Sequence, residues 1–240
     1  MKGTSLMRLG ARNFRRNLGR YRVLLLALAF VISAFTIIVG AVYGMTHALQ
    51  IKAARYFSGH ITVQQAFKNS YPGLADAAAA EAALAPVGHG VSLMTRRSVY
   101  YNAGQAEIFF AGRPQRQRRL IGVDWNEERP LLEGLDFVSG GLPETDDPGA
   151  ILLSTVTAGG SGVKVGDEVV IRLTTQAGAI NTATYVVRGI FSESSFFGFS
   201  SYLRREALNS LMDVDAGSLN ELGLLLRDPG TMSGVAAEVS

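Results

Sequence analysis

Residues 23–45, "VLLLALAFVISAFTIIVGAVYGM", carry no charge, and this run constrains everything else the chain can do. As a helix rising about 1.5 Å per residue it reaches about 35 Å, enough to cross a bilayer core with some tilt. A cleaved signal peptide shares the basic start, but its apolar region is only about 7–15 residues and ends at a small-x-small site. The present run is longer, and Tyr43 and Met45 stand where cleavage would fall. It therefore reads as a retained anchor spanning residues 23–46.

Charge sets the orientation. Lys2, Arg8, Arg12, Arg15, Arg16, Arg20 and Arg22 all precede the apolar run, and residues 1–22 contain no acid. The positive-inside rule places that flank in the cytoplasm and the remainder outside it. Leu6, Leu9, Phe14, Leu18 and Tyr21 recur at helical steps, so residues 1–22 read either as an amphipathic helix on anionic lipid, anchored by the arginines, or as a basic flank that only sets topology. The chain's net charge is +3, but the residues after 22 carry more acid than base. The basic character points to a membrane surface and away from nucleic acid. Gly40 and Gly44 form a G-x-x-x-G pattern, which allows close helix packing.

With 240 residues and 48% hydrophobic content, the chain can bury a core outside the membrane. Residues 47–57 continue the helix as a stalk, and 59–64 read as a first strand. The alanine-rich stretch between Pro72 and Pro86 predicts a helix over 73–85. Apolar alternation over 91–101, a turn at 102–104 and a strand over 107–111 predict a hairpin. "GRPQRQRRL" at 112–120 reads as a solvated connection, and its four arginines could also meet lipid headgroups or an acidic partner. The next stretch reads as irregular until 150–154. Strands follow at 168–175 and 183–191, joined by a loop centred on Gly178, then a helix over 204–211, a strand over 220–229 and an opening helix. The fold class is α+β: a β-α-β-β type subdomain over 47–111, an inserted β-rich subdomain over 112–218, and a return to the first over 219–240.

Site chemistry is sparse. The chain has no cysteine, which removes disulfides, thiolate metal sites and thiol catalysis. His47, His60 and His89 lack partners at metal-ligand spacing. "GGSGVKVGD" at 159–167 does not end in Gly-Lys-Ser/Thr and reads as a loop entering a strand. The carboxylate pairs Asp146–Asp147 and Glu127–Glu128 sit in polar stretches and read as solvated. No catalytic residue, metal ligand or cofactor-binding residue is identified.

Taken together and in order, "RLGARNFRRNLGRYRVLLLALAFVI", "GHITV", "IGVDW", "GAILLS", "GVKVGDEVVI" and "YVVRGIF" resemble the permease subunits of MacB-, LolC/LolE- and FtsX-related ABC transporters, including their periplasmic core domain. The resemblance implies a bacterial inner-membrane protein with a cytoplasmic N-terminus and a periplasmic domain of two subdomains. It also implies mechanotransmission: a separate ABC ATPase dimer, which binds ATP and Mg, drives the membrane helices, and the periplasmic domains move in response. A second permease subunit, identical or homologous, and a lipoprotein or other exported substrate are the further expected partners. Family permeases continue into three more membrane helices, so the chain is expected to be either a partial or truncated permease or a subunit that does not transport alone, with no ATPase activity of its own. In the lipoprotein-releasing branch, Phe30, Phe35 and Ile38 would contact acyl chains or bulk lipid. Phe196, Phe197 and Phe199 would either touch substrate or pack in the core. A single-pass extracytoplasmic scaffold or sensor uses the same anchor without a transport partner and is the alternative.

Overall fold

A computed structural model describes residues 12, 14–56, 59–64, 77–85, 90–101, 106–144, 147–193 and 200–239. They fall into two compact units, Met1–Ile51 and Lys52–Ser240. The first is dominated by helix α1 (Leu18–Tyr56), which runs through the whole apolar segment and on through the expected stalk. Its stretch Leu18–Ala48 is long and apolar enough to cross a membrane, and none of its most apolar window is buried within the chain. Thr36 and Thr46 fold their hydroxyls back onto the carbonyls of Ile32 and Val42, which satisfies these polar groups inside the helix.

The second unit is α+β, as its sequence pattern predicts. In order it contains β1 (Ile61–Gln64), α2 (Ala77–Leu84), β2 (Val91–Tyr100), β3 (Ala106–Phe110), β4 (Arg113–Arg116), β5 (Arg119–Val123), α3 (Arg129–Leu132), β6 (Phe137–Gly140) and β7 (Ala150–Ser154). The remainder is α4 (Thr155–Ser161), β8 (Glu168–Thr174), β9 (Ile180–Phe191), β10 (Ser200–Arg204), α5 (Arg205–Met212), β11 (Glu221–Leu226) and α6 (Met232–Val239). One mixed sheet runs β1-β11-β2-β5-β10-β7-β9-β8-β3-β4, with β6 added to the end of β9.

The late strand β11 lies between the early strands β1 and β2, antiparallel to both. At the centre, β7 is buried along its whole length, antiparallel to β10 and parallel to β9. Its alternate residues feed two cores. Ile151 and Leu153 join Val169, Ile171, Leu173, Val187 and Leu208, whereas Ala150 and Leu152 join Val99, Ile121, Phe191 and Tyr202. Burial alternates along β8, with Val169, Ile171 and Leu173 inward, as a period-two pattern requires. The loop to β9 turns at Gly178, whose φ of 83° suits glycine.

Three local expectations are corrected. The hairpin of 91–101 with 107–111 does not form, because β2 gives its edges to β11 and β5 while β3 pairs with β4 and β8. Alternation reports which face of a strand is buried and leaves its neighbour undetermined. The basic stretch 112–120 is not a plain connection: it supplies edge strand β4 and the start of β5, between which Gln117 is fully buried. Pro114 and the exposed Arg113 and Arg116 suit an edge strand, where a missing N–H costs nothing and charge discourages further pairing. Finally, Gly159 and Gly160 lie in α4, whose N-cap is Ser154 and whose chain reverses at Gly162 in the left-handed region.

Gly122 on β5 lies against α5, and a Cβ there would stand 2.9 Å from the Arg205 Cα and 3.2 Å from the Leu208 Cβ. Because one contact is backbone, the helix must shift. Gly122→Ala is expected to lower stability by about 1–3 kcal/mol, measured by thermal unfolding of the detergent-solubilised chain.

Candidate functional site

Strand β2 changes partners along its length. Val91 to Arg97 pair with β11, and Ser98 to Tyr100 pair with β5. The change falls at Arg97, an inward position on the face shared by Thr95 and Val99, and all three are fully buried. The Arg97 guanidinium meets the Glu128 carboxylate with Nε at 3.1 Å from Oε1 and 2.9 Å from Oε2, and Nη2 at 2.5 Å from Oε2. Both side chains are essentially inaccessible. Glu128 precedes α3 at its N-cap position, but its carboxylate makes no cap bond. It is turned inward to the arginine instead. This corrects the reading of Glu127–Glu128 as a solvated pair: Glu127 is half-exposed beside Arg96, and Glu128 is the counter-charge of the core.

Burial pushes the Glu128 carboxyl above its ordinary value and the Arg97 charge draws it back. Burial likewise opposes the Arg97 charge, but the Glu128 carboxylate more than offsets this, and the guanidinium is held above its usual range. With hydrogen bonds to both carboxylate oxygens, we take the pair as ionised. The Tyr202 ring lies 6.0 Å from the Arg97 guanidinium carbon and packs edge-on against Phe191.

Around this pair the neighbouring elements are tied to β2 one residue at a time. Where β11 ends, the Asn220 side chain stands in for a strand: its Oδ1 accepts from the Val99 N–H and its Nδ2 donates to the Val99 carbonyl, both at 2.8 Å. Ser98 donates to the Ser218 carbonyl at 2.9 Å. The Tyr101 hydroxyl donates to Glu221, and Arg119 lies 5.2 Å from the Tyr101 ring. Arg96 reaches Glu81 on α2, and Arg205 on α5 donates to the Arg96 carbonyl. The site is a joint. Through it the β1-β11-β2 end of the sheet is fastened to β5, α3 and α5.

A second buried polar group lies beyond β5. Gln117 accepts from Ser201 at 2.8 Å and meets Thr157, which also bonds Ser154. Glu193, 6% exposed, accepts from the Ser200 backbone N–H at 3.3 Å, and its Oε1 has no partner among the described residues. Burial pushes this carboxyl up to about 7, with bonds from Ser200 and Ser154 and the Arg119 charge opposing.

The residues singled out by sequence are dispersed. Phe30, Phe35 and Ile38 are exposed on α1, and no described atom lies within contact of a Cβ built at Gly40 or Gly44. At about 100° per residue, Gly40 and Gly44 share one face of that helix with Phe30 at its margin, whereas Phe35 and Ile38 point away from it. Arg12, Arg15, Arg16, Arg20 and Arg22 are exposed, while Arg8, Asp146, Phe196, Phe197, Phe199 and His89 lie outside the described residues. His47 is exposed on α1. The His60 Nδ1 accepts from the Leu226 N–H at 3.0 Å, and burial pushes its pKa down. Asp147 is ion-paired with Arg188 at 2.7 Å rather than merely solvated. Among the described residues no group of three or more His, Cys, Asp or Glu is placed to hold a metal ion.

Arg97, Asn220, Glu221 and Glu193 were not singled out by sequence, and Glu128 was named only as one of a solvated pair. The signal for Arg97 is its parity with Leu93, Thr95 and Val99 on one strand face. Glu128 and Asn220 have no comparable local signal, since their partners are 31 and 121 residues away.

Fold and site define a class: a large mixed-sheet domain carried behind one apolar helix, with its best-buried charge at a structural joint. The family model described as MacB-like periplasmic core domain matches residues 23–240, so the chain belongs to that family, which is of the ABC-transporter permease type. Among solved structures it is similar to the periplasmic region of MacB from Actinobacillus actinomycetemcomitans. That likeness has 11% identity and a TM-score of 0.47, and covers 74% of this chain and 79% of that one. The curated proteins contain no match to it.

Two outcomes test the site. Arg97→Met leaves Glu128 buried without its counter-charge and is expected to cost about 3–5 kcal/mol, whereas adding Glu128→Leu recovers most of the loss, as read by denaturant unfolding. For Glu193 the folded-state pKa lies above its ordinary value of 4.5, so folding favours the protonated acid. Its contribution is fully present below pH 4.5, shrinks as pH rises and is lost above about 7. Between pH 5 and 8, Tm should therefore fall more steeply in the wild type than in Glu193→Gln.

Proposed function

We propose that this chain is a permease component of an ABC transporter, coupling ATP hydrolysis on the cytoplasmic side to movement of its extracytoplasmic domain. The family match over residues 23–240 carries the reading. The uncharged helix behind seven basic residues supports an inner-membrane location with a cytoplasmic N-terminus and a periplasmic domain. ATP and Mg are bound by a partner ABC ATPase dimer, and a second permease subunit, identical or homologous, completes the membrane part.

Within that reading the substrate is a lipoprotein released from the inner membrane. The exposed Phe30, Phe35 and Ile38 face acyl chains, Gly40 and Gly44 receive another membrane helix, and Phe196, Phe197 and Phe199 meet the substrate on the periplasmic side. The joint at Arg97 makes the extracytoplasmic unit move as one body, because the strand that follows α1 is locked through β11 and β2 to the rest of the sheet. The second reading, a membrane-anchored scaffold or sensor, draws on the single apolar helix among the described residues.

Purification of the full gene product in mild detergent, with intact-complex mass spectrometry and a vanadate-sensitive ATPase assay, separates the two. Co-purification with an ABC ATPase is the expected result, followed by ATP-dependent lipoprotein release from proteoliposomes. A lone chain without ATPase would move the assignment to the scaffold.

A further inference from the structure

Strand β9 is longer than its neighbour on one side. Along residues 180–186 it pairs with β8, but β7 reaches it only from Val186 onward. The hydrogen-bond parity is fixed at both ends. Val186 N–H donates toward β7, to the Gly149 carbonyl at 2.7 Å, while Val187 N–H donates to Asp167 on the β8 side, and Ala179 carbonyl accepts from Thr175 N–H. Main-chain groups alternate between the two edges of a strand. Those of Asn181, Ala183 and Tyr185 therefore face β8, and those of Thr182 and Thr184 face the side that β7 has left open. No described residue hydrogen-bonds the Thr182 or Thr184 main chain on that side.

The opening is a cleft of about 400 Å³ lined by residues including Pro148, Gly149, Thr182, Thr184, Ala207 and Leu211. Three features make it a slot and not a frayed end. First, the chain's own approach to β7 is held away: Asp147 is drawn to Arg188 at 2.7 Å and accepts from the Gly149 N–H, and Pro148 has no N–H to offer a neighbouring strand. Second, the cleft floor is fixed, since Asn181 donates to the Leu211 carbonyl at 3.1 Å and the Tyr185 hydroxyl to the Ala207 carbonyl at 3.4 Å. Third, Ser210 and Leu211 lie in the last turn of α5, whose C-terminal end carries partial negative charge.

We propose that this edge of β9 binds an extended peptide segment of a partner protein, which adds to the sheet as a strand in line with β7. The open stretch, residues 180–185, is about six residues, or about 20 Å, and with Ile180, Thr182 and Thr184 offers three N–H donors and three carbonyl acceptors at the two-residue spacing of a strand. Side chains of the bound segment that point toward α5 meet Ala183, Ala207 and Leu211, so small apolar residues fit at alternate positions. A lysine or arginine fits at the end nearest the α5 C-terminus, by charge complementarity. The site is on the extracytoplasmic unit and does not depend on which substrate the transporter moves.

The test uses the full chain in detergent and a fluorescent octapeptide of alternating valine and alanine with one terminal lysine. Saturable binding is expected, with amide hydrogen exchange slowed at Thr182 and Thr184 and unchanged at Ala183 and Tyr185. The same peptide with its edge-facing nitrogens methylated should bind at least tenfold more weakly, and so should the unmodified peptide on Thr184→Pro. Thr184→Val, which keeps the backbone, should bind as the wild type does. Methylated peptide binding equally well, or no saturable binding, would overturn the proposal. It would also be overturned if the Thr182 and Thr184 amides were already protected in the free chain, because another segment or a second copy would then cover the edge.

Discussion

A buried arginine can be kept in a protein core only if its charge is met and its donors are used, and in this domain that requirement organises one end of the sheet. Removing two charges from water costs several kcal/mol per ion after relaxation. The fully enclosed Arg97–Glu128 pair offsets that cost with its mutual attraction and hydrogen bonds to both carboxylate oxygens. Such a pair adds little net stability over an apolar pair of the same volume. What it adds is geometry: β2 must lie where Arg97 reaches the residue that opens α3, and any slip of register would strand a charge in the core.

That placement has consequences along the strand. Because Arg97 marks the change from β11 to β5 as partner, β2 belongs to both parts of the sheet, and Asn220 keeps the Val99 backbone bonded where β11 has ended. Arg96 on the opposite face holds α2 through Glu81, and Arg205 brings α5 to the same strand. From β1 through β11 and β2 to β5 the strands are joined by continuous backbone pairing.

Much of this architecture is legible in the sequence. The uncharged run fixes α1, the alternation of Val169, Ile171 and Leu173 fixes β8, and the Gly178 loop fixes its turn into β9. Neighbours are less legible, because period-two patterns say which face is buried and not which strand lies alongside, so β2 and β3 read as a hairpin when each pairs elsewhere. The joint is the least legible part. Glu127 and Glu128 are adjacent acids in a polar stretch, and only the three-dimensional course of the chain sends one to solvent and the other to Arg97. Gln117 is similar: it sits in a run of arginines yet is enclosed by Ser201 and Thr157.

We propose that the Lys52–Ser240 unit transmits movement as one body. The chain has no cysteine, so spin labels can be placed at two chosen positions only, on Ala82 of α2 and Gln176 in the β8–β9 loop, both exposed. Pulsed electron paramagnetic resonance on the assembled complex would then compare nucleotide-free and vanadate-trapped states. The expected result is an unchanged Ala82–Gln176 distance within one chain while the Gln176–Gln176 distance between two permease copies shifts. A change in the distance within the chain would contradict it, because the sheet would then flex at the joint that Arg97 and Glu128 are held to lock.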